Sequence, residues 1–188
     1  MPGIPSPFSS DDGDQFDGYD EFVPENIPRP GEFLRGHDLL TGEDHVAFHE
    51  TTRDVFEERG VYDMTFGYNL ARLNLDHRHR NAGYRYAVED GDPDVLRAEF
   101  TPTTPFCPQS NTLTIGSFRA WNGLSDAHDY EVVKVRLDAM HHNSDTINDQ
   151  LRGMEETFLE TGSVEQAAES VGAGGELSDG RDGLDAPF

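Results

Sequence analysis

Cysteine and lysine are almost missing from this chain. Of its 188 residues, one is Cys (Cys107) and one is Lys (Lys134). A lone thiol closes no internal disulfide, so packing must hold the fold, and a reducing compartment is expected. No apolar run approaches the roughly 18 residues a membrane span needs. Residues 1–10 show neither the basic start nor the apolar stretch of a signal peptide. These absences make the cytoplasm the expected location. Basic residues are few altogether, 14 against 37 acids, for a net charge of −23. Without a basic patch to neutralise phosphates, neither nucleic acid nor an anionic membrane is an expected partner.

What is present is an Asp-rich acid surface whose cations are nearly all Arg. That balance points to a halophilic, salt-adapted cytosol. At molar salt the Debye length is about 3 Å, so close-set acids repel little while keeping the surface hydrated.

Apolar residues make up 35% of the chain, which predicts a core of about 120 residues with disordered ends. Residues 1–36, rich in Pro, Gly and Asp, read as a disordered acidic leader, from which Phe16, Tyr19, Phe22 and Val23 offer apolar docking points. Residues 37–162 read as one domain and 163–188 as a disordered acidic tail, with a transient helix at 164–171. Within the domain, Glu43–Arg59 carries a helical stripe through Val46, His49, Arg53 and Phe56, with Thr41 or Asp44 as cap and Gly60 just past the end. Leu70, Leu73 and Leu75 hint at a strand. Residues 83–89 and 95–101 alternate apolar and polar around the turn formers Asp90–Asp94, a hairpin. A buried helix follows to Trp121, then a strand over 130–137. A last helix is capped by Ser144 and carries Ile147, Leu151, Met154 and Phe158. The order helix, strand, strand, helix, strand, helix predicts an α+β fold: a small mixed sheet of three to four strands with helices packed on one face.

Cys107 stands in Thr101-Pro-Thr-Thr-Pro-Phe-Cys-Pro108. Three prolines stiffen that loop. Pro108 suits the first helical position, which would leave Cys107 near the N-cap, where the N–H groups of Gln109, Ser110 and Asn111 would favour a thiolate. Thr101, Thr103 and Thr104 bring hydroxyls close to it. The competing reading is a buried structural Cys acting as a small hydrophobe.

The segment Phe100-Thr-Pro-Thr-Thr-Pro-Phe-Cys-Pro-Gln-Ser-Asn-Thr-Leu-Thr-Ile-Gly116 resembles the cysteine loop and helix of the iron–sulfur cluster assembly domain family. That family includes the eukaryotic cytosolic iron–sulfur targeting factor and PaaD/SufT-like proteins. Met140-His-His-Asn-Ser-Asp-Thr-Ile-Asn-Asp-Gln-Leu151 resembles the family's His-containing turn into its last helix. The likeness spans Phe100 to Leu151. The family's opening Asp-Pro-Glu type motif and Leu-Gly-Leu segment have no counterpart here; Gly67-Tyr-Asn-Leu70 is a poor match. The resemblance implies a non-enzymatic factor that matures or targets iron–sulfur proteins. Its partners would be assembly proteins and apoprotein clients. Its cargo would be a transient iron–sulfur cluster, or iron or zinc, received at Cys107 with Thr103 and Thr104 beside it and with His141 and His142 as further ligands. A cluster takes about four ligands, so one chain would share it with a homodimer mate or another protein.

Two other readings stand beside this one. The first is an enzyme with Cys107 as nucleophile and His141 or His142 as base. The second is an interaction scaffold whose thiol is incidental. On a strand end, His141 and His142 would point to opposite sides. His77 and His79 share one face of any strand there, and His45 and His49 share a helix face. Both spacings can chelate, but a solvated loop and a packed helix are the simpler readings. His37 carries no sharper reading.

Overall fold

The computed structural model describes residues 15–170. The fold is α+β. Its main sheet runs in the order β1-β4-β5-β6, from Asp38–Leu39 (β1), Gly83–Val88 (β4), Val95–Thr101 (β5) and Val132–Leu137 (β6). β1 and β5 both pair antiparallel with β4, whereas β5 and β6 run parallel. A separate antiparallel pair joins Tyr62–Asp63 (β2) to Tyr68–Asn69 (β3). Three long helices complete the fold: α1 (Gly42–Arg59), α2 (Ser110–Gly123) and α3 (Ser144–Thr161).

Strand register sorts side chains by chemistry. Tyr84 faces Phe100, and Tyr86, Ala98 and Val135 line up across three strands. These residues and Leu96, Val133 and Leu137 form the apolar face, each no more than 2% exposed. Trp121 of α2 lands at its centre, 4.9 Å from the Tyr84 ring and 5.0 Å from Phe56 of α1. Leu151, Met154 and Phe158 of α3 close the core beside β6. The predicted spans hold closely for α1, β4, β5 and β6, because each has an unbroken period of its own.

The opposite face of the sheet is charged, with Arg85, Glu99 and Arg136 in one cross-strand row and Arg97 and Lys134 in the next. Residues 28–35 cover it. Gly31 N and Phe33 N donate to the Glu99 carboxylate at 2.6 and 3.2 Å. Arg97 and Arg85 donate to the Phe33 and Pro28 carbonyls. The Phe33 ring lies 4.6 Å from the Arg97 guanidinium and 5.1 Å from that of Arg136. The leader therefore needs correction over residues 15–36. Composition misses this packing because the segment binds through its backbone and through Ile27 and Leu34, which are 4% and 2% exposed. The tail is corrected likewise over 164–170, which are helical, with Val164 and Ala167 in the core. Residues 1–14 and 171–188 lie outside the described residues.

The strand hinted at by Leu70, Leu73 and Leu75 is instead a 3₁₀ helix over Leu70–Leu75, capped by the Asn69 side chain. A three-residue turn puts Leu70 and Leu73 on one side, and the helix carries Asn74 to the edge of β4. Asn74 accepts from Tyr84 N at 2.6 Å and donates to Tyr84 O at 2.7 Å. Asn122 does the same for Val133, and Asn148 for Leu137, along the outer edge of β6. Each amide imitates, at one residue, the strand that is missing there, and so blunts that stretch of edge. Asn122→Ala would orphan the N–H and C=O of fully buried Val133. It is expected to lower unfolding free energy by about 2 kcal/mol. A urea titration showing less than about 0.5 kcal/mol, the range of an ordinary surface change, would contradict the edge-capping role.

Candidate functional site

Cys107 lies between β5 and α2, where β5 hands the chain to a proline-rich loop. Cys107 N donates to Thr104 O at 3.4 Å, and Ser110 N to the Cys107 carbonyl at 3.4 Å. These tight turns delay the helix. α2 begins at Ser110 with Gln109 as its N-cap, not at Pro108. The expected thiolate support by N–H groups is corrected to that extent, since Ser110 N is engaged by the carbonyl of Cys107 itself. The Cys107 side chain is partly exposed. Thr101 is buried in β5, Thr103 is half-buried and Thr104 is exposed.

The turn after β6 reaches this loop. Asp138 N donates to Phe100 O at 2.8 Å, extending the sheet's parallel pairing, and His142 N donates to Pro105 O at 3.0 Å. The ring of His142 repeats the contact, with Nδ1 at 2.7 Å from Pro105 O. His141 Nε2 lies 3.0 Å from Cys107 O, and its Nδ1 accepts from Asn143 N at 3.1 Å. A carbonyl only accepts, so the facing nitrogens carry the protons. His141 is therefore the Nε2–H tautomer with both nitrogens engaged, at 3% exposure. His142 is the Nδ1–H tautomer. Its Nε2 lone pair makes no hydrogen bond among the described residues. The two rings stack, 4.8 Å apart and 24° from parallel. The expectation that they point to opposite sides is corrected, because they sit in a turn and not on a strand end.

Between the loop and the first turns of α3 is a cavity of about 420 Å³. Phe106, Cys107, His142, Asn111, Thr146 and Ile147 are among its walls, and no Asp, Glu, Lys or Arg lines it. Two polar atoms nearby, Gln150 Oε1 and Ser110 Oγ, are buried without a partner. Cys107, His141 and His142 thus line one cavity, in unequal roles. His141 pins the loop. Cys107 is partly exposed and His142 exposed, and neither Cys107 Sγ nor His142 Nε2 is engaged by the loop among the described residues. Among the described residues, no three His, Cys, Asp or Glu side chains gather as a metal-holding group.

The remaining histidines are packed or paired. His45 and His49 stack at 5.5 Å inside the α1 face. His49 holds the Tyr86 hydroxyl and the Ala71 carbonyl, so both its nitrogens are engaged. His77 meets Asp17 at 2.6 Å, and His37 Nδ1 accepts from Asp90 N. Sequence reading missed Met64 and the side-chain role of Gln109: Met64 N donates to Gln109 Oε1, and Gln109 Nε2 to Thr65 Oγ1. That clasp ties the β2–β3 turn to the start of α2 across 45 positions, a distance no local pattern reports.

No helix among the described residues is long and apolar enough to cross a membrane. No curated protein and no solved structure matches the chain. A family model does, over residues 14–165, so the chain belongs to the family described as a domain of unknown function, DUF7998.

Proposed function

We propose that this protein is an iron–sulfur maturation or targeting factor that presents cargo at Cys107. One observation carries the reading. The two segments that resemble the iron–sulfur assembly domain family, at 100–116 and 140–151, meet through ring-to-carbonyl bonds at Pro105 and Cys107. A thiol with one imidazole lone pair supplies two ligands where a cluster takes about four. Cys107 and His142 therefore share the cargo, a cluster or an iron or zinc ion, with a further protein. Thr103 and Thr104 frame the loop. The competing enzyme reading is narrowed to Cys107 as nucleophile with His142 as base, because His141 would first have to release a loop contact.

The test is replacement of Cys107 by Ser in the native host, with iron–sulfur enzyme activities as readout. A loss of at least fivefold across unrelated iron–sulfur enzymes, with the variant folded and present at normal level, is expected. Unchanged activities would reject the proposal.

A further inference from the structure

Residues 28–35 make no hydrogen bond to the Cys107 loop or to its two histidines among the described residues. They do grip the residue from which the histidine turn starts. Asp138 is that pivot. Its N–H donates to Phe100 O at 2.8 Å, its carbonyl accepts from His141 N at 3.2 Å, and its Oδ1 accepts from Met140 N at 2.8 Å. The other carboxylate oxygen, Oδ2, is set against Gly31. A Cβ on Gly31 would lie 2.6 Å from it, and 2.7 and 2.8 Å from the two Glu99 oxygens. Glycine is therefore what allows so close an approach. A continuous path of contacts runs from Gly31 through Asp138 to His141 and His142, and from their rings to the Cys107 and Pro105 carbonyls.

This grip is built to yield. Glu99 is 3% exposed, yet it makes no ion pair among the described residues, because its sheet neighbours Arg97 and Arg136 are paired with Glu89 and Glu155. A buried carboxylate without a cation is costly. Burial pushes the Glu99 carboxyl up, and the charges of Asp138 and Glu32 add to this against the pull of Gly31 N and Phe33 N. Ile27 and Leu34, the buried apolar side chains of the segment, lie outside the cluster that makes the core. We propose that residues 28–35 are a latch on the Cys107 site: docked, they hold Asp138 and keep the histidine turn against the cysteine loop, and lifting them lets that turn and its rings move away from Cys107. The latch rests on these contacts alone. Its use, control over when cargo leaves Cys107 and His142, rests on the proposed function.

The experiment uses the full chain, whose single cysteine makes it specific. Hydrogen exchange over 138–144 reports the turn, and the rate at which a maleimide alkylates Cys107 reports the thiol. Gly31→Ala should speed exchange over 138–144 as well as over 28–35, and should speed alkylation by about fivefold or more. Glu99→Gln adds no bulk, and its amide can accept only one of the two N–H bonds that hold the segment. It should act in the same direction, and it carries the test if Gly31→Ala does not fold. Asn122→Ala, a destabilising change at the other end of β6, should leave the turn and the thiol as in the wild type. Faster exchange over 28–35 with 138–144 and the alkylation rate unchanged overturns the latch. So does Asn122→Ala acting as strongly as Gly31→Ala. If Cys107→Ser abolishes iron–sulfur enzyme activity in the host while the latch variants leave turn and thiol unmoved, the cargo role stands and the latch falls. If the latch opens as expected but Cys107→Ser is fully active, the latch stands and the cargo role falls.

Discussion

Acidification from pH 7 to pH 5 at constant salt is expected to remove about 4 kcal/mol of folding stability through two histidines, His45 and His49. Both are buried, at 3% and 2% exposure. Burial pushes the His45 imidazole down to about 3, with His49 and Arg85 adding repulsion. Burial takes His49 down to about 4, although its bond to the Ala71 carbonyl opposes the shift and Arg53 reinforces it. The sign follows from which state takes up protons. In the unfolded chain both rings titrate near 6.5, so below that pH the unfolded state binds protons that the folded state refuses. The stabilisation is complete above about pH 7 and drains away as pH falls toward 4 and 3. Each ring contributes roughly 2 kcal/mol of the change by pH 5, a large share of the 5–15 kcal/mol typical of a domain. His45→Phe should keep the ring contacts with Phe22, His49 and Tyr86 and remove one titration. Urea midpoints at the two pH values should then differ by about half as much. An unaltered pH slope in His45→Phe would sink the assignment. Below pH 4 a further loss is expected from Asp76. Its burial alone would raise it, but the Arg78 guanidinium and the Tyr68 hydroxyl outweigh that and hold it near 2.

Gly83→Ala should be strongly destabilising. A Cβ at this position would collide with Asn74 Oδ1, and the residue has φ +119°, in the region that favours glycine. The atom it would strike is not free to yield, because Asn74 is fully buried and pairs with both polar backbone groups of Tyr84. Displacing Asn74 would orphan those groups, and keeping it would bend β4 away from the core. Backbone strain and a lost buried amide together amount to on the order of 4 kcal/mol. Asn74→Ala alone should cost about 2 kcal/mol. Because the two sites share one contact, the double variant should lose less than the sum. Thermal or urea unfolding of the four proteins measures this. Strict additivity would mean that the Asn74 contact is not what excludes a side chain at position 83.

The site was half legible in the sequence. Cys107 stands out as the only thiol, and the prolines around it predict a stiff loop. The block at His141–Leu151 predicts its neighbour. The inequality of the two histidines is not legible, because tautomer and engagement depend on which carbonyl each ring meets, and Pro105 and Cys107 are more than thirty positions away. Met64 reads as an ordinary methionine until folding ties it to Gln109.

The sequence by itself determined the elements whose signal is local. The periods of α1, β4, β5 and β6 sort apolar from polar side chains within a few residues, and Gly60 and Gly162 end their helices in left-handed turns at φ +69° and +70°. Tertiary structure decided what depends on partners distant in the chain. Residues 28–35 hold to the charged sheet face because Glu99 and Arg97 meet their backbone, a contact that apolar composition does not encode. Asn74, Asn122 and Asn148 become edge strands only where a strand is missing. The thiol of Cys107 gains its imidazole neighbours only once β6 lies parallel to β5 and carries the turn after it back to the loop.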